Sequence, residues 1–225
     1  MASITVENYL KQLYLEQQRD PESLVAMGRL ASAMGVVPGT ATSMVKALAD
    51  SGLVEYEPRG GVRLTPQGTQ LALHVLRRHR LVELFLVKVL GLDWSEVHAE
   101  AEELEHAISD KVLERIDQVL GHPSVDPHGD PIPTAMGKVH QRQVVSLNEA
   151  PVGEALRIAR VSDQEAGFLQ FLDRSGLRLG TVLVVESREP AADAVRIRPA
   201  GSEPLTLGAG AAAKILVETV DSGAV

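Results

Sequence analysis

The stretch SLVAMGRLASAMGVVPGTATSMVKALADSGLVEYEPRGGVRLT, residues 23–65, decides the fold of the N-terminal part of the chain. Apolar residues at helical spacing predict a helix over residues 23–34, which ends at a glycine. Pro38 suits the first turn of the next helix, which extends to Gly52. The segments LVEYE and VRLT, joined by the turn PRGG, are typical of a β-hairpin. With a helix also expected over residues 3–19, this order is that of a winged helix-turn-helix, whose expected partner is double-stranded DNA.

Polar side chains on the expected recognition helix and on the hairpin are the candidates for DNA contact. The helix presents small polar groups and one cation, and the hairpin carries two guanidinium groups that suit phosphates. These candidates are Thr40, Thr42, Ser43, Lys46, Arg59 and Arg63. The competing interpretation is a solvated helix and a solvated hairpin, because glycine-linked helix pairs also occur in proteins that never bind DNA.

The composition excludes several classes of protein. The chain has 225 residues, of which 44% are apolar and 23% charged, as is ordinary for a globular protein. It has no cysteine, which excludes disulfides, thiolate catalysis and sulfur-ligated metal sites. Without an apolar run of about 18 residues or the features of a signal peptide, we expect a cytoplasmic protein with no membrane contact. The net charge of −8 argues against DNA binding, but residues 1–70 are nearly neutral.

The stretch VHAEAEELEHAISD, residues 97–110, brings metal-ligating side chains together if it forms one helix. At about 100° per residue, two imidazoles and two carboxylates share less than a third of the circumference. Another imidazole and carboxylate lie four residues apart on the preceding long helix, which is expected from Thr65 to Leu90. The six residues are His79, Glu83, His98, Glu102, Glu105 and His106. Because a divalent cation relieves the repulsion between close carboxylates, the pattern indicates a metal site, with a solvated acidic face as the alternative.

The rest of the chain completes the expected domain organisation. The middle region has more apolar surface than one small bundle would bury, which indicates a dimer interface. Residues 122–137 are rich in proline and glycine and predict an ordered loop leading into a linker. The later runs ALRIARV, TVLVVES, AVRIRP and AKILVETV predict a small β-barrel. We therefore expect a mainly α protein with an additional small β domain: a winged helix in residues 1–71, a helical metal-binding and dimerisation domain in residues 72–140, and a barrel in residues 144–223.

No pattern in the sequence indicates catalysis. A nucleophile elbow, a phosphate-binding glycine loop and an HExxH run are absent, so we do not expect an enzyme. Two alternatives to metal-dependent regulation stay open at this point. One is a winged-helix regulator that senses a small organic molecule, and the other is a metal-dependent hydrolase with Glu83 or Glu105 as a base. The remaining histidines are interpreted as surface or structural residues: His74, His122, His128 and His140.

Three motifs carry a resemblance to a known family: RHRLVE at residues 78–83, GLDWSEVHAEAEELEHAISD at residues 91–110 and HPSVDPHGDPIP at residues 122–133. Over about residues 4–137 the chain resembles the diphtheria toxin repressor family, which includes iron-dependent and manganese-dependent repressors. Residues 144–220 are similar, more loosely, to the SH3-like (FeoA-like) domain of its longer members. The resemblance implies a homodimeric repressor of metal-uptake genes that binds operator DNA with a divalent metal as corepressor.

The resemblance also implies two metal sites per protomer and a division of the ligands between them. His79, Glu83 and His98 match the ancillary site, to which the tail of longer members adds ligands. The tail candidates here are Asp163, Gln164 and Glu165. The primary site is matched by Asn8, Glu102, Glu105 and His106.

The identity of the metal follows from the ligands and from two departures. Glu102 stands where iron-tuned members often carry cysteine, which favours manganese. Asn8 and Lys11, however, stand where manganese-type members carry carboxylates, so a closely paired manganese site is not expected. Oxygen and nitrogen ligands without sulfur suit Mn²⁺ or Fe²⁺, which are the expected cofactors.

Overall fold

The structure is a computed structural model that describes residues 3–140 and 142–220, arranged in two compact units. The first, here called the N-terminal unit, takes the described residues within 1–79 together with 104–108 and 133–139. The second, the C-terminal unit, takes residues 80–103 and 109–132 and the described residues from 140 onward. Within the described residues, no helix combines the length and apolarity needed to cross a membrane.

The N-terminal unit contains the winged helix-turn-helix that the sequence predicts. Its elements are α1 (Ile4–Arg19), α2 (Met27–Ala33), α3 (Pro38–Asp50), β1 (Val54–Glu57), β2 (Gly61–Leu64) and the first part of α4 (Pro66–Lys88). The two wing strands are antiparallel, with Val54 opposite Leu64 and Glu57 opposite Gly61. Leu10 of α1, Leu30 of α2 and Val45 of α3 are fully buried in one apolar core that joins the helices to the wing.

The helix expected over residues 23–34 begins later than predicted, at Met27. Val25 instead pairs with Val62 of the wing, and the backbone N–H of each donates to the carbonyl of the other, at 2.9 and 3.0 Å. Gly61 permits this approach, because its φ is 142° and a Cβ there would lie 2.7 Å from the Val25 carbonyl oxygen. The chain therefore enters α2 as a short third strand of the wing.

The C-terminal unit combines helices with an antiparallel sheet. Its helical elements are the remainder of α4, α5 (Val97–Leu104), α6 (Asp110–Val119), α7 (Ala166–Arg174) and the short α8 (Ala209–Ala212). The strands are β3 (Val145–Ser146), β4 (Ala155–Val161), β5 (Val182–Glu189), β6 (Ala194–Pro199), β7 (Leu205–Gly208) and β8 (Ile215–Thr219). They pair in the order β3-β8-β4-β5-β6-β7, and irregularities in β4 and β5 bend the sheet around its core.

The four strands that the sequence predicts are β4, β5, β6 and β8, so the mainly α chain with a small β domain is confirmed. The edge strands β3 and β7, which have only two and four residues, are not among the predicted strands. The helix α7, whose Leu169 and Leu172 are buried in the same core as the sheet, was not predicted either. These elements are too short for periodicity to identify.

The prediction of one continuous helix over residues 97–110 is wrong. α5 ends at Leu104, and the N–H groups of Ala107 and Ile108 close a turn on the Leu104 carbonyl at 3.0 and 3.1 Å. Ser109 then caps α6, because its hydroxyl accepts from the N–H of Val112 at 3.4 Å. Glu105 therefore lies in a turn, off the helix face that carries His98.

Candidate metal centres

In the N-terminal unit, Glu105 is a fully buried carboxylate between two nitrogen groups. Lys11 Nζ, on α1, lies 2.7 Å from Glu105 Oε1, and the Lys11 side chain is itself buried. His79 Nδ1, on α4, lies 2.6 Å from Glu105 Oε2. The turn at the end of α5 thus carries a negative charge that meets partners from two helices.

The surroundings of Glu105 stabilise its charged form. Burial raises the pKa of this carboxyl, but the hydrogen bond and charge of His79, with the charge and hydrogen bond of Lys11, outweigh burial and hold the pKa below its ordinary value. Glu105 is therefore an ionised carboxylate at neutral pH. Its negative charge is already partly matched by the Lys11 ammonium.

Next to Glu105, His106 contacts oxygen atoms of α1. His106 Nδ1 lies 2.7 Å from Glu7 Oε2, and His106 Nε2 lies 2.7 Å from Asn8 Oδ1 and 3.1 Å from Glu105 Oε1. The structure thus brings Asn8, Glu105 and His106 together. Glu7, which immediately precedes Asn8 in the first turn of α1, is a neighbour that the sequence analysis missed.

In the C-terminal unit, Glu83 of α4 lies between two imidazoles. Its side chain is about 1% exposed. Glu83 Oε1 is 3.2 Å from His98 Nδ1, and Glu83 Oε2 is 3.9 Å from His128 Nδ1. His98 is more exposed, and its Nε2 is 3.8 Å from Glu102 Oε1. His79 precedes Glu83 by four residues on α4.

Asp126 and His128 form a buried group of possible ligands with Glu83. Each of the three offers an oxygen or nitrogen atom, and these atoms lie within 4.8 Å of one another. His128 is fully buried, so of the two interpretations given to it, surface or structural residue, its position excludes the first. The sequence signal was available: the two side chains stand two residues apart in DPHGD, a proline- and glycine-rich loop.

The hydrogen bonding of His128 determines which ring nitrogen could bind a cation. His128 Nε2 lies 2.9 Å from the Trp94 carbonyl oxygen, which can only accept, so Nε2 carries the proton. In a neutral ring, Nδ1 then holds a lone pair, and this atom has no hydrogen-bond partner among the described residues. An imidazole that donates one N–H to a backbone carbonyl and presents its other nitrogen to carboxylates is the usual arrangement of a metal ligand.

Negative charge is costly at Asp126. Burial raises the pKa of this carboxyl well above its ordinary value, and the charges of Asp130 and Glu83 raise it further, against a smaller opposing effect of Arg80. Asp126 Oδ2 lies 3.6 Å from Arg80 Nε and accepts no hydrogen bond within the described part of the chain. A divalent cation would relieve this repulsion, so the buried group fits a metal with oxygen and nitrogen ligands.

The tail residues proposed as ligands have hydrogen-bond or ion-pair partners outside the group of Glu83, Asp126 and His128. Gln164 Nε2 donates to Asp130 Oδ2 at 2.9 Å. Glu165 is exposed, and its carboxylate accepts from the N–H of Phe168 at 3.0 Å, which caps α7. Asp163 pairs with Lys214 Nζ at 2.6 Å.

The candidate DNA-contacting residues lie on α3 and the wing. Thr40, Ser43 and Lys46 are exposed, whereas Thr42 is half-buried. The hydroxyls of Thr42 and Ser43 donate to the carbonyls of Pro38 and Gly39, at 2.7 and 3.0 Å. On the wing, Arg59 is exposed at the turn with φ 69°, and Arg63 is exposed on β2 opposite Glu55.

Three family models match successive parts of the chain. Residues 1–62 match the N-terminal DNA binding domain of the iron dependent repressors, and residues 65–134 match their metal binding and dimerisation domain. Residues 145–219 match the FeoA domain.

Individual relatives extend the match over nearly the whole chain. The chain is 33% identical over 190 residues to a diphtheria toxin repressor of Corynebacterium efficiens, covering 79% of this chain and 80% of that protein. It is 31% identical over 228 residues to the iron-dependent repressor IdeR of Mycobacterium leprae, covering 96% and 97%. A solved structure of a manganese-dependent transcriptional repressor in complex with manganese has a TM-score of 0.87 at 38% identity, covering 96% of this chain and all of that one.

Proposed function

This chain belongs to the diphtheria toxin repressor family of metal-dependent transcriptional repressors, and we propose that it represses metal-uptake genes with Mn²⁺ or Fe²⁺ as corepressor. The proposal includes a cytoplasmic homodimer that binds operator DNA. It retains the predicted division into a winged helix (1–71), a helical metal-binding and dimerisation domain (72–140) and an SH3-like domain (144–223).

The observation that carries the proposal is the buried group of Glu83, Asp126 and His128. Two carboxyl groups and an imidazole nitrogen converge there, with one oxygen of Glu83 also facing His98. Such a group would hold a divalent cation through oxygen and nitrogen. The absence of cysteine suits Mn²⁺ or Fe²⁺ by ligand type, although Irving–Williams affinities alone would favour Cu²⁺ and Zn²⁺, so selectivity depends on coordination and metal supply.

The second group in the proposal is that of Asn8, Glu105 and His106 in the N-terminal unit. The oxygens of Asn8 and Glu105 and an imidazole nitrogen of His106 would together hold a cation. Lys11 lies on the same carboxylate and must give up its ion pair with Glu105 for that to happen. His79, Glu102 and Glu165 stay predicted ligands on the sequence argument alone, whereas the Gln164 amide is hydrogen-bonded to Asp130.

This second group suggests how metal could control DNA binding. Asn8 lies on α1, whose Leu10 shares an apolar core with Val45 of the recognition helix α3. Restraining Asn8 therefore restrains α3. In a homodimer the two copies of α3 must meet major-groove faces about 34 Å apart, so restraining both favours operator binding. By linkage, DNA tightens metal binding by the same factor by which metal tightens DNA binding, and the coupling free energy is typically about 1–3 kcal/mol.

Surface features support the two macromolecular partners in the proposal. Exposed apolar side chains lie on α6 and directly after α4, and they offer the apolar surface that a dimer interface with a second copy of the chain would bury. They are Val89, Leu90, Val112 and Val119. DNA contact is assigned to Thr40, Thr42, Ser43 and Lys46 on α3 and to Arg59 and Arg63 on the wing. The guanidinium and ammonium groups would bind phosphates, and the small hydroxyls would face base edges.

The test begins by selecting duplexes from a random DNA library on the purified protein with Mn²⁺. Fluorescence anisotropy on a selected duplex then compares Mn²⁺, anaerobic Fe²⁺ and a chelator. We expect metal to tighten binding by about 5- to 150-fold, as a coupling of this size requires. Glu83→Gln should lose that response, while Glu100→Gln, on the exposed surface of α5, should keep it. DNA binding that is indifferent to metal and chelator would refute the proposal.

A further inference from the structure

The loop of residues 126–130, which carries Asp126 and His128, is held rigid from within. Asp126 Oδ1 accepts from the backbone N–H of His128 at 2.8 Å and of Asp130 at 2.9 Å. These bonds occupy one oxygen of Asp126 and leave Oδ2, which lies 3.6 Å from Arg80 Nε, without a hydrogen bond among the described residues. The internal bonds set the shape of the loop, but they do not determine where it sits.

The backbone of β4 provides that placement. The N–H of Val161 donates to the carbonyl of His128 at 2.8 Å, so the loop pairs with the end of the strand. Between them, Gly129 has φ 87°, and a Cβ there would lie only 2.1 Å from the Ala159 carbonyl oxygen. Only glycine permits the loop and β4 to lie this close.

Side chains of the sheet region complete the attachment at Asp130. Arg160 Nη2, on β4, lies 2.6 Å from Asp130 Oδ1, and Gln164 Nε2, just before α7, donates to Asp130 Oδ2 at 2.9 Å. Arg80 Nη2 lies 3.7 Å from Asp130 Oδ1. Because Asp130 is almost fully buried and its charge acts on Asp126, its partners govern both the position of the loop and its electrostatics.

We propose that Arg160 and Gln164 are positioning residues that hold Asp126 and His128 toward Glu83, so that the β domain supports the metal centre from outside the ligand set. The inference rests on the proposed function, because it needs a cation at Glu83, Asp126 and His128. Groups that orient metal ligands in this way typically contribute about 10- to 100-fold to metal affinity. Gln164 then acts through Asp130, a role different from the direct ligation that the sequence resemblance implies.

The test measures Mn²⁺ binding by the loss of the free-ion EPR signal. A His106→Gln background weakens the N-terminal group, so that the titration follows the C-terminal one. We expect Arg160→Ala to weaken Mn²⁺ binding at least about tenfold, and Arg160→Lys to recover part of the loss, because an ammonium retains the charge beside Asp130. Gln164→Leu, a milder change, should weaken binding in the same direction. Arg157→Ala removes an exposed arginine from the same strand and should bind like the background.

Urea unfolding in chelator distinguishes a positioning role of Arg160 from a general loss of folding stability in the variant. Because the Arg160 side chain is 38% exposed and Arg80 and Gln164 remain beside Asp130, the metal-free midpoint of Arg160→Ala should lie only slightly below that of Arg157→Ala. A fall in Mn²⁺ affinity matched by a fall in the metal-free midpoint would make Arg160 merely structural and overturn the inference. Unchanged Mn²⁺ binding in both Arg160→Ala and Gln164→Leu would overturn this inference and leave the proposed function intact. A wild-type protein that binds no Mn²⁺ would overturn the proposed function as well.

Discussion

Replacing Lys11 with methionine tests whether the lysine is the resident counter-charge of Glu105. The ammonium lies 2.7 Å from Glu105 Oε1, and both side chains are buried. Methionine keeps the apolar stem of lysine and removes only its charged end. The variant therefore leaves a buried carboxylate whose remaining close partners are His79 Nδ1 at 2.6 Å and His106 Nε2 at 3.1 Å.

The expected loss follows from this burial. Breaking a buried ion pair by removing one partner costs about 3–5 kcal/mol, because the other charge stays buried without compensation. Since His79 still lies 2.6 Å from Glu105 Oε2, we expect the lower end, about 3 kcal/mol. At about 1.4 kcal/mol per factor of ten, the folding equilibrium constant of the N-terminal unit should fall roughly 100-fold.

The assay is urea unfolding followed by circular dichroism, in chelator and in excess Mn²⁺. In chelator, Lys11→Met should unfold at a lower urea concentration than the wild type. In Mn²⁺ the difference should narrow, since positive charge from the metal replaces the ammonium at Glu105. Lys138→Met removes an exposed lysine from the same unit and should behave like the wild type in both conditions.

Two results would refute this reasoning. If Lys11→Met were as stable as the wild type in chelator, the ion pair would contribute nothing to folding. If its loss were the same in chelator and in Mn²⁺, no cation would take the place of Lys11, and Glu105 would not be a metal ligand.

Two further predictions concern Asp126 and Lys46. The pKa of Asp126 is raised in the folded protein, so the folded state favours the protonated carboxyl group. The resulting stability is fully present below the ordinary carboxyl pKa of about 4, and it is lost as the pH rises through the pKa of Asp126 in the folded protein. Asp126→Asn cannot ionise, so in chelator its urea midpoint should exceed that of the wild type at pH 7 and match it near pH 4. A midpoint below the wild type at pH 7 would contradict this. Lys46→Ala should weaken binding to specific and random duplexes alike and lower the salt slope by about 0.9, measured by anisotropy over a salt series; an unchanged slope would remove Lys46 from the phosphate contacts.

Local chemistry made much of this protein predictable. Apolar spacing and turn residues predicted α1, α3 and the wing; the structure confirms the winged helix, and the family membership confirms the metal-dependent transcriptional regulator. The expected metal chemistry followed from the absence of cysteine and from the pairing of imidazoles with carboxylates. Prediction failed where an element was short, as in α7, or where the helix of residues 97–110 ended early at Leu104.

The sequence by itself determined most of the longer helices and strands and the donor atoms that the chain can offer a cation, because helix and strand periods and side-chain chemistry are local properties. Only the tertiary structure decided which donors meet. Lys11 reaches Glu105 across 94 positions of sequence, and Asp126 and His128 converge on Glu83 through a loop held by β4. A helical period reports neighbours three or four residues apart and contains no information about such long-range contacts. The packing of separate elements creates them, and here it placed Lys11 against one predicted ligand, Glu105, and brought two side chains that were not predicted as ligands, Asp126 and His128, close to another, Glu83.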